Sequence, residues 1–237
     1  MSILSTVPPM NTTTISFIKK EEIASNILSL LFKKPDNFVF DAGQFIQFLI
    51  NEQNTTHKRA YSIASAPQDT HIEYIAKLWP GGKASSLFQS LEPGDTCTIT
   101  GPFGHFTHTV DTPLILVGTG TGLAPLLGVL AEYLTYTGGK KPVHLLVGFR
   151  EEQCVFKEEA LKQLAKKHKN FTYTITLSQP KHTDNTYTAG RVTAHISRYI
   201  DTNARYMLCG SPPMVKEVRG MLLAHEIAPK NIVFEIY

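Results

Sequence analysis

One glycine-rich stretch, Gly118-Thr119-Gly120-Thr121-Gly122, has the composition of a phosphate-binding turn. It follows the apolar run Leu114–Val117 and precedes a second apolar run from Leu126 to Tyr136, an order typical of a buried strand, a tight turn and a helix start. Glycine lets backbone N–H groups approach a ligand closely, and a helix N-terminus favours negative charge. The spacing differs from G-x-G-x-x-G, so a purely structural strand-to-helix turn is the alternative interpretation.

A second segment, Arg59-Ala60-Tyr61-Ser62, combines side chains that suit a phosphate and a flat ring. A guanidinium fork matches a phosphate, a tyrosine offers an aromatic plane, and a serine hydroxyl can donate to a ring nitrogen. On a β-strand, Arg59 and Tyr61 would share one face, and Ala60 and Ser62 the other. The alternative is an ordinary strand whose polar side chains face water.

Two further segments have a less specific composition. The stretch Gly81-Gly82-Lys83-Ala84-Ser85 precedes a short helical pattern, and its backbone could form a second anion site. An ordinary capped helix is the alternative there. Cys209-Gly210-Ser211 follows a predicted buried strand, where the thiol either meets a ligand or belongs to the core.

Short β segments before residue 110 must position the first of these groups. Turn residues such as Pro93-Gly94-Asp95 separate the segments, which predicts an antiparallel barrel interrupted by one helix, Ala84–Leu91. Residues 1–13 are rich in Ser, Thr and Pro and are predicted to form a loose arm. The six predicted strands are Thr14–Lys19, Ile27–Lys34, Gln44–Ile50, Lys58–Ala64, Ile72–Leu78 and Thr96–Thr100.

Apolar strands alternate with helices after Asp111-Thr112-Pro113, which predicts a five-stranded parallel sheet with right-handed crossovers. The boundary falls near residues 107–113, giving a barrel domain of residues 1–110 and an α/β domain of residues 111–237. Ligands of such sheets bind beyond the carboxyl ends of the strands, where the glycine turn and Cys209 would lie. The predicted helices cover residues 123–136, 156–168, 191–200 and 213–225, between strands Leu114–Val117, Val143–Val147, Phe171–Leu177, Tyr206–Cys209 and Ile232–Ile236.

The composition of the 237 residues excludes several classes of protein. A net charge of +3 gives no argument for nucleic acid. The three cysteines are odd in number and far apart, and no C-x-x-C or H-E-x-x-H spacing occurs, so neither a disulfide framework nor a metal site is expected. No apolar stretch reaches the roughly 18 residues of a membrane helix, and no signal peptide is evident, so a reduced cytoplasmic protein is expected.

In order and spacing, these segments resemble the ferredoxin–NADP reductase superfamily, over residues 14–237. Each motif is loose, but their shared order makes the resemblance specific. The matching motifs are R-x-Y-S at Arg59–Ser62, G-x-x-S at Gly82–Ser85, L-x-P-G-D at Leu91–Asp95, G-P-x-G-x-F at Gly101–Phe106, the glycine turn at Gly118–Pro125 and C-G-x-x-x-M at Cys209–Met214.

The resemblance implies FAD in the barrel domain and NADPH or NADH in the α/β domain. Arg59 would hold the FAD pyrophosphate, Tyr61 would lie against the flavin ring, and Ser62 would hydrogen-bond flavin N5. The remaining implied FAD ligands are Ala60, Ile75, Ala76, Lys77, Gly81, Gly82, Lys83, Ala84, Ser85 and Tyr237. The implied coenzyme ligands are Gly118, Thr119, Gly120, Thr121, Gly122, Arg150, Ser178, Arg191, Cys209, Gly210 and Met214.

Four residues would be catalytic by this resemblance: Ser62, Cys209, Glu235 and Tyr237. Cys209 would approach the nicotinamide near C4. Plant-type reductases end in Glu-x-Tyr, and this sequence ends Glu235-Ile236-Tyr237, so Tyr237 would cover the flavin face where the nicotinamide must sit and Glu235 would assist proton or hydride movement. On a strand Glu235 and Tyr237 leave by the same face, whereas a frayed terminal tyrosine is the alternative.

The function implied by the resemblance is a flavoenzyme that takes a hydride from NAD(P)H and passes electrons to a small carrier such as ferredoxin or flavodoxin. It would act as a monomer. A flavin reductase that releases reduced flavin and a flavin-binding regulatory subunit are the alternatives. NADP-specific relatives commonly place Ser-Arg where this chain has Ser178-Gln179. Yet Arg150 and Arg191 stand where relatives often keep basic residues, and Lys181 is nearby. We expect both coenzymes to react, with a modest NADPH preference carried by Arg191.

Overall fold

The structure is a computed structural model that describes residues 12–52, 55–108, 111–182 and 186–237. Its first half is one antiparallel sheet in the order β4-β3-β6-β1-β2-β5. A bridge between Ile63 and Tyr74 and a hydrogen bond from Ala64 N to Glu73 O join the two edges, so the sheet closes into the predicted barrel. The strands are β1 (Thr12–Ala24), β2 (Ile27–Lys33), β3 (Phe45–Glu52), β4 (Thr55–Ser62), β5 (His71–Lys77) and β6 (Thr96–Phe103).

Alternating apolar residues fill the barrel. In β2 the side chains of Leu28, Leu30 and Phe32 are buried, as the period of two along a strand requires. Helix α1 (Lys83–Ser90) contributes Phe88, whose ring packs edge-on against Phe48 at 5.1 Å between centroids. This core holds β4, and with it the segment Arg59–Ser62, in a fixed register against β3.

The second half is a parallel sheet in the order β10-β9-β8-β7-β11-β12. All five predicted strands are present, and a sixth strand of two residues, β10, extends one edge. The strands are β7 (Leu114–Thr119), β8 (Val143–Phe149), β9 (Phe171–Leu177), β10 (Thr188–Ala189), β11 (Arg205–Gly210) and β12 (Ile232–Ile236). The helices are α2 (Leu123–Ala131), α3 (Glu158–Lys167) and α4 (Pro212–Ala224).

Helix α2 lies between this sheet and the barrel. Every residue from Leu123 to Leu130 is buried, which is the pattern of a helix covered on all sides. A methyl group added at Gly128 would come within 2.8 Å of Ser65 O and 3.1 Å of Ile63 O. The helix backbone therefore lies directly against the end of β4, and only glycine permits this approach.

Two predictions about local structure were wrong. The predicted helix at residues 191–200 is instead a pair of 3₁₀ turns, Val192–Ala194 and Ile196–Tyr199. β-branched residues at 192, 193, 196 and 200 lower helix propensity. The only buried apolar residues of the segment are Val192 and Ile196, too narrow a stripe to hold a regular helix. Within the predicted N-terminal arm, Thr12 and Thr13 pair with β6, while residues 1–11 lie outside the described residues.

The domain boundary predicted near residues 107–113 stays a prediction, although β6 ends at Phe103 and β7 begins at Leu114.

No helix in the described ranges is long and apolar enough to cross a membrane.

Candidate functional site

The two domains meet at a cluster of four side chains, Ser62, Cys209, Glu235 and Tyr237, which we call the interdomain cluster. Ser62 ends β4, whereas Cys209 and Glu235 lie near the carboxyl ends of β11 and β12. Ser62 Oγ donates to Glu235 Oε2 at 3.1 Å and lies 2.5 Å from the Tyr237 hydroxyl. The Cys209 thiol is hydrogen-bonded to the Tyr237 side chain, so the structure brings together all four residues predicted to be catalytic.

Burial dominates the electrostatics of the interdomain cluster. Ser62 and Cys209 are buried, and desolvation raises the pKa of the Cys209 thiol well above its ordinary value, so the thiol is protonated. Desolvation also raises the pKa of Glu235, although the hydrogen bond from Ser62 opposes this shift. The pKa of Tyr237 rises because its hydroxyl is desolvated and lies near Cys209 and Glu235.

Tyr237 does not fray. Its backbone N–H donates to Gly210 O at 3.3 Å, and its hydroxyl reaches Ser62 across the domain interface. Half of the residue nevertheless remains exposed, so the ring covers the interdomain cluster from the solvent side. Such a side chain can act as a cover that moves aside for a ligand.

The barrel side of the site follows the predicted alternation along β4. Arg59 lies opposite Phe48 and Tyr61 opposite Ile46, whereas Ser62 lies opposite Phe45 on the other face. Arg59 is exposed and donates to Lys58 O at 2.9 Å. Tyr61 packs edge-on against Phe48 and Phe88, and burial raises its pKa to about 12. The segment thus presents an exposed guanidinium and a fixed phenol ring.

The turn before α1 differs in detail from the prediction. Gly81 has φ +69° and nothing within 4 Å of an added methyl group, so the backbone here is open to a ligand. Ser85 is buried and its hydroxyl accepts from Trp79 N at 2.8 Å, so this side chain closes the turn. Lys83 forms an ion pair with Glu52. Gly82 is packed closely, since an added methyl group would lie 3.0 Å from Ser85 Oγ, so Gly81 is the open position through which backbone N–H groups could meet a phosphate.

Along β5, only one of the three predicted cofactor residues presents its side chain to solvent. Ala76 belongs to the barrel core and Ile75 to the core between the domains, so both can reach a ligand only through their backbones. Lys77 is exposed and lies 4.4 Å over the ring of Trp79. Trp79 is 62% exposed and was missed from the sequence, although its place before Pro80-Gly81-Gly82 was a usable signal.

A cavity of about 730 Å³ opens at the carboxyl ends of the parallel strands, where the sheet rule places a ligand. Ten predicted residues line this coenzyme cavity: Lys77, Thr119, Gly120, Thr121, Arg150, Ser178, Arg191, Gly210, Met214 and Tyr237. Gly118 and Gly122 lie behind it as packing residues. A methyl group at Gly118 would come within 2.9 Å of Leu126, and one at Gly122 within 2.3 Å of Cys209 O.

Basic side chains lie in and near the coenzyme cavity. Arg150 Nε donates to Gln179 Oε1 at 2.8 Å, and most of the Arg150 side chain is exposed. Lys181 is paired with Glu151 at 2.8 Å, so its charge is already balanced. Arg191 is exposed and lines the cavity. The basic side chains that line the cavity, and that could meet a phosphate there, are Lys77, Arg150 and Arg191.

These features fit two dinucleotides. Gly120, at φ +54° with open space around it, presents bare backbone to the coenzyme cavity, as a pyrophosphate requires. On the barrel side, Arg59, the open turn at Gly81 and the exposed Trp79 ring suit the pyrophosphate and rings of FAD. Within the described ranges, no group of three or more His, Cys, Asp or Glu side chains is placed to hold a metal ion.

Comparison with known proteins supports this assignment. Residues 14–108 match the model of the oxidoreductase FAD-binding domain, and residues 116–220 match that of the oxidoreductase NAD-binding domain. The fold, the site and these matches define a two-domain flavin-dependent oxidoreductase. The chain belongs to the ferredoxin–NADP reductase family, as its sequence motifs predicted.

Several relatives are named as components of oxygenase systems. The toluate 1,2-dioxygenase electron transfer component of Pseudomonas putida is 29% identical over 93% of this chain and 66% of its own length. The propane 2-monooxygenase reductase component of Mycolicibacterium goodii is 30% identical over 95% of this chain and 67% of its own. The chain thus spans about two thirds of the length of these relatives.

Solved structures share the fold. A cytochrome P450 reductase from Amycolatopsis superposes with a TM-score of 0.86 and 27% identity, covering 96% of this chain and 70% of that one. A ferredoxin NADP⁺ reductase from Neisseria gonorrhoeae, solved with FAD and NADP, gives a TM-score of 0.83 at 22% identity, over 95% and 98% of the two chains.

Proposed function

We propose that this protein oxidises NAD(P)H through bound FAD and passes the electrons to a small carrier such as ferredoxin or flavodoxin. The observation that carries the proposal is the interdomain cluster, where Ser62 of the barrel contacts Glu235 and Tyr237 of the α/β half of the chain, which we call the coenzyme domain. It lies between the segment that suits a flavin and the cavity that suits a nicotinamide dinucleotide. A direct transfer needs its two reacting rings within roughly 3–3.5 Å, and an interface of this kind can impose that approach.

Bound FAD would accept an electron pair from the nicotinamide and release single electrons to the carrier. The protein supplies hydrogen bonds and protons around it. Ser62 has one proton and two lone pairs, so it can donate to a flavin nitrogen while still accepting from Tyr237 or from a protonated Glu235. Because burial raises the pKa of Glu235, this carboxyl holds a proton at a higher pH than an exposed glutamate does. Glu235 and Ser62 could thus form a two-step proton path to the ring.

The nature of the acceptor is supported by the relatives. One is named as the electron transfer component of a dioxygenase and the other as the reductase component of a monooxygenase, which supports electron transfer to a partner protein. A flavin reductase would instead bind flavin loosely and release it reduced. Tyr237 favours retention, because an aromatic ring that covers a bound flavin also slows its escape.

Flavin retention separates these two functions. The purified protein is expected to remain yellow through gel filtration and to reduce a ferredoxin or flavodoxin with NAD(P)H, while added free FMN has little effect on the rate. Loss of colour during filtration, together with turnover that depends on added free flavin, would identify a flavin reductase.

Replacing Tyr237 with serine is expected to tighten NADP⁺ binding by about tenfold, because the coenzyme no longer competes with a covering ring. Turnover should slow, since the product leaves less readily. Titration with NADP⁺ and NAD⁺, followed through the flavin spectrum, measures the effect. Tyr237→Phe is the matched control, because it keeps the ring and loses only the hydroxyl contact to Ser62. If Tyr237→Ser leaves affinity and spectrum unchanged, Tyr237 does not cover the ring.

Arg191→Ala is expected to lower kcat/KM for NADPH by about tenfold and to leave NADH nearly unaffected, because a charge-assisted contact to the 2′-phosphate is lost. Arg191 is exposed and lines the cavity, whereas Lys181 is already paired with Glu151. Lys181→Ala is therefore the control and should leave coenzyme preference unchanged. Steady-state rates with both coenzymes decide, and an NADH preference that survives in Arg191→Ala would contradict the assignment.

A further inference from the structure

One ion pair joins the two domains on the side of the barrel where β2 and β5 lie. Lys157 Nζ, at the start of α3, lies 2.6 Å from Glu73 Oε1 on β5 of the barrel. The hydroxyl of Ser29 donates to the same carboxylate oxygen. The two charged side chains are 24% and 19% exposed, so water screens this pair less than an exposed one. We call it the interdomain ion pair.

Lys157 keeps its place against two local preferences. Its backbone is in the left-handed region, at φ 60° and ψ 13°, where glycine or asparagine is favoured. It also occupies the N-cap of α3, where Ser, Thr, Asp, Asn or Gly is preferred, and its side chain makes no cap hydrogen bond. Lysine is unfavourable here both for the backbone conformation and for the N-cap position, which indicates that its side chain has a role in a contact with another part of the chain.

The anchor on each side of the interdomain ion pair is rigid. Phe156, next to Lys157, is buried and packs edge-on against Phe149 at 5.1 Å. Glu73 O accepts from Ala64 N at 2.8 Å, and Glu73 N donates to Ser65 Oγ at 3.1 Å. Glu73 therefore links Lys157 to Ala64 and Ser65, which lie two and three residues after Ser62 in the chain.

The same short segment also receives α2, since Gly128 lies against Ser65 O and Ile63 O. The coenzyme domain thus holds residues 63–65 in two ways. Helix α2 contacts them directly, and Lys157 is linked to them through Glu73. We propose that Lys157 is a positioning residue that fixes the angle between the domains at which Ser62 meets Glu235 and Tyr237. This inference rests on the proposed function, because that angle would set the approach of nicotinamide to flavin.

The decisive variant is Lys157→Gly, which removes the ammonium group and relieves the backbone conformation. We expect FAD content and melting temperature to stay at or above wild type. Amide hydrogen exchange of residues 63–65 in the coenzyme-free protein should become about tenfold faster, because the interface opens more often. Stopped-flow flavin reduction at saturating coenzyme should fall by roughly three- to tenfold, because a misplaced ring pair reacts slowly.

Three further variants distinguish an effect on the relative position of the domains from a general effect on folding. Glu73→Gln should reproduce both the faster exchange and the slower flavin reduction. The double variant Lys157→Gly with Glu73→Gln should show effects no larger than either single variant, because each substitution removes the same contact. Lys157→Arg should restore exchange and rate. Lys162→Met, which removes an exposed ion pair to Glu159 within α3, is the matched control and should change neither.

Unchanged exchange at residues 63–65 in Lys157→Gly overturns the proposal, and so does a slower rate that Lys157→Arg fails to restore. If the wild-type protein does not reduce its flavin with either coenzyme, the proposed function fails. The exchange comparison still decides whether the ion pair positions the domains, so the two failures are distinguishable.

Discussion

Ser62→Ala is expected to slow flavin reduction by NAD(P)H by about ten- to a hundredfold while FAD stays bound. The Ser62 hydroxyl is the only group of the barrel that contacts both Glu235 and Tyr237 among the described hydrogen bonds, at 3.1 Å and 2.5 Å. A hydrogen bond to a charged or charge-developing group contributes about 1.5–3 kcal/mol, and each 1.4 kcal/mol is a factor of ten in rate. Stopped-flow absorbance at the flavin band measures the loss.

Arg59→Ala is the comparison for Ser62→Ala, because the exposed Arg59 guanidinium would hold a phosphate and leaves β4 by the face opposite to Ser62. We expect this variant to lose flavin during purification but to reduce the flavin that remains at nearly the wild-type rate. Equal flavin loss in both variants, with unchanged reduction in both, would contradict the roles assigned to these two residues.

Gly122→Ala is expected to destabilise the coenzyme domain by about 1–3 kcal/mol and to weaken coenzyme binding strongly. The backbone at Gly122 is ordinary for any residue, but an added methyl group would stand 2.3 Å from Cys209 O and 2.8 Å from Gly210 Cα. The end of β11 would have to move, and with it the carbonyl that accepts from Tyr237 N. Chemical unfolding and NADP⁺ titration measure the two effects.

Variants at two other glycines distinguish the effect of steric contact from the effect of backbone conformation. Gly120 has φ +54° and open surroundings, so Gly120→Ala should cost about 1–2 kcal/mol through the backbone alone. Gly220 lies in α4 with nothing within 4 Å of an added methyl group, so Gly220→Ala should stabilise the helix by about 0.5–1 kcal/mol. If Gly122→Ala behaves like Gly220→Ala, the close contact to β11 is not tight in solution.

The fold and most of the site were predictable because they depend on patterns that the chain repeats locally. Alternation along β4 fixed the faces of Arg59 and Ser62, and the rule for parallel sheets placed Cys209 and the glycine turn at one edge. The Glu-x-Tyr ending was informative for the same reason, since a period of two sends Glu235 and Tyr237 to one face.

The rest depends on contacts between segments far apart in the chain, for which no local pattern exists. The burial of Ile75 and Ala76 follows from closure of the barrel and docking of the second domain. The Ser85 hydroxyl is taken by Trp79 N, a bond set by the exact path of the turn. No sequence pattern predicts the role of Lys157. Its ion pair depends on where the domains dock, and its left-handed backbone conformation is one that helix preferences would not assign to lysine.

The separation of Ser62 and Tyr237 along the chain, 175 residues, also bears on the order of folding. Contacts between such distant residues have the largest entropy cost of loop closure. They are therefore expected to form after the local hairpins and βαβ units, whose loops are shorter. Each sheet closes on contacts within its own half, whereas the interdomain cluster forms only when two finished halves dock. We therefore expect a newly made chain to form its two sheets before Ser62, Glu235 and Tyr237 come together, so that the interdomain cluster is completed last.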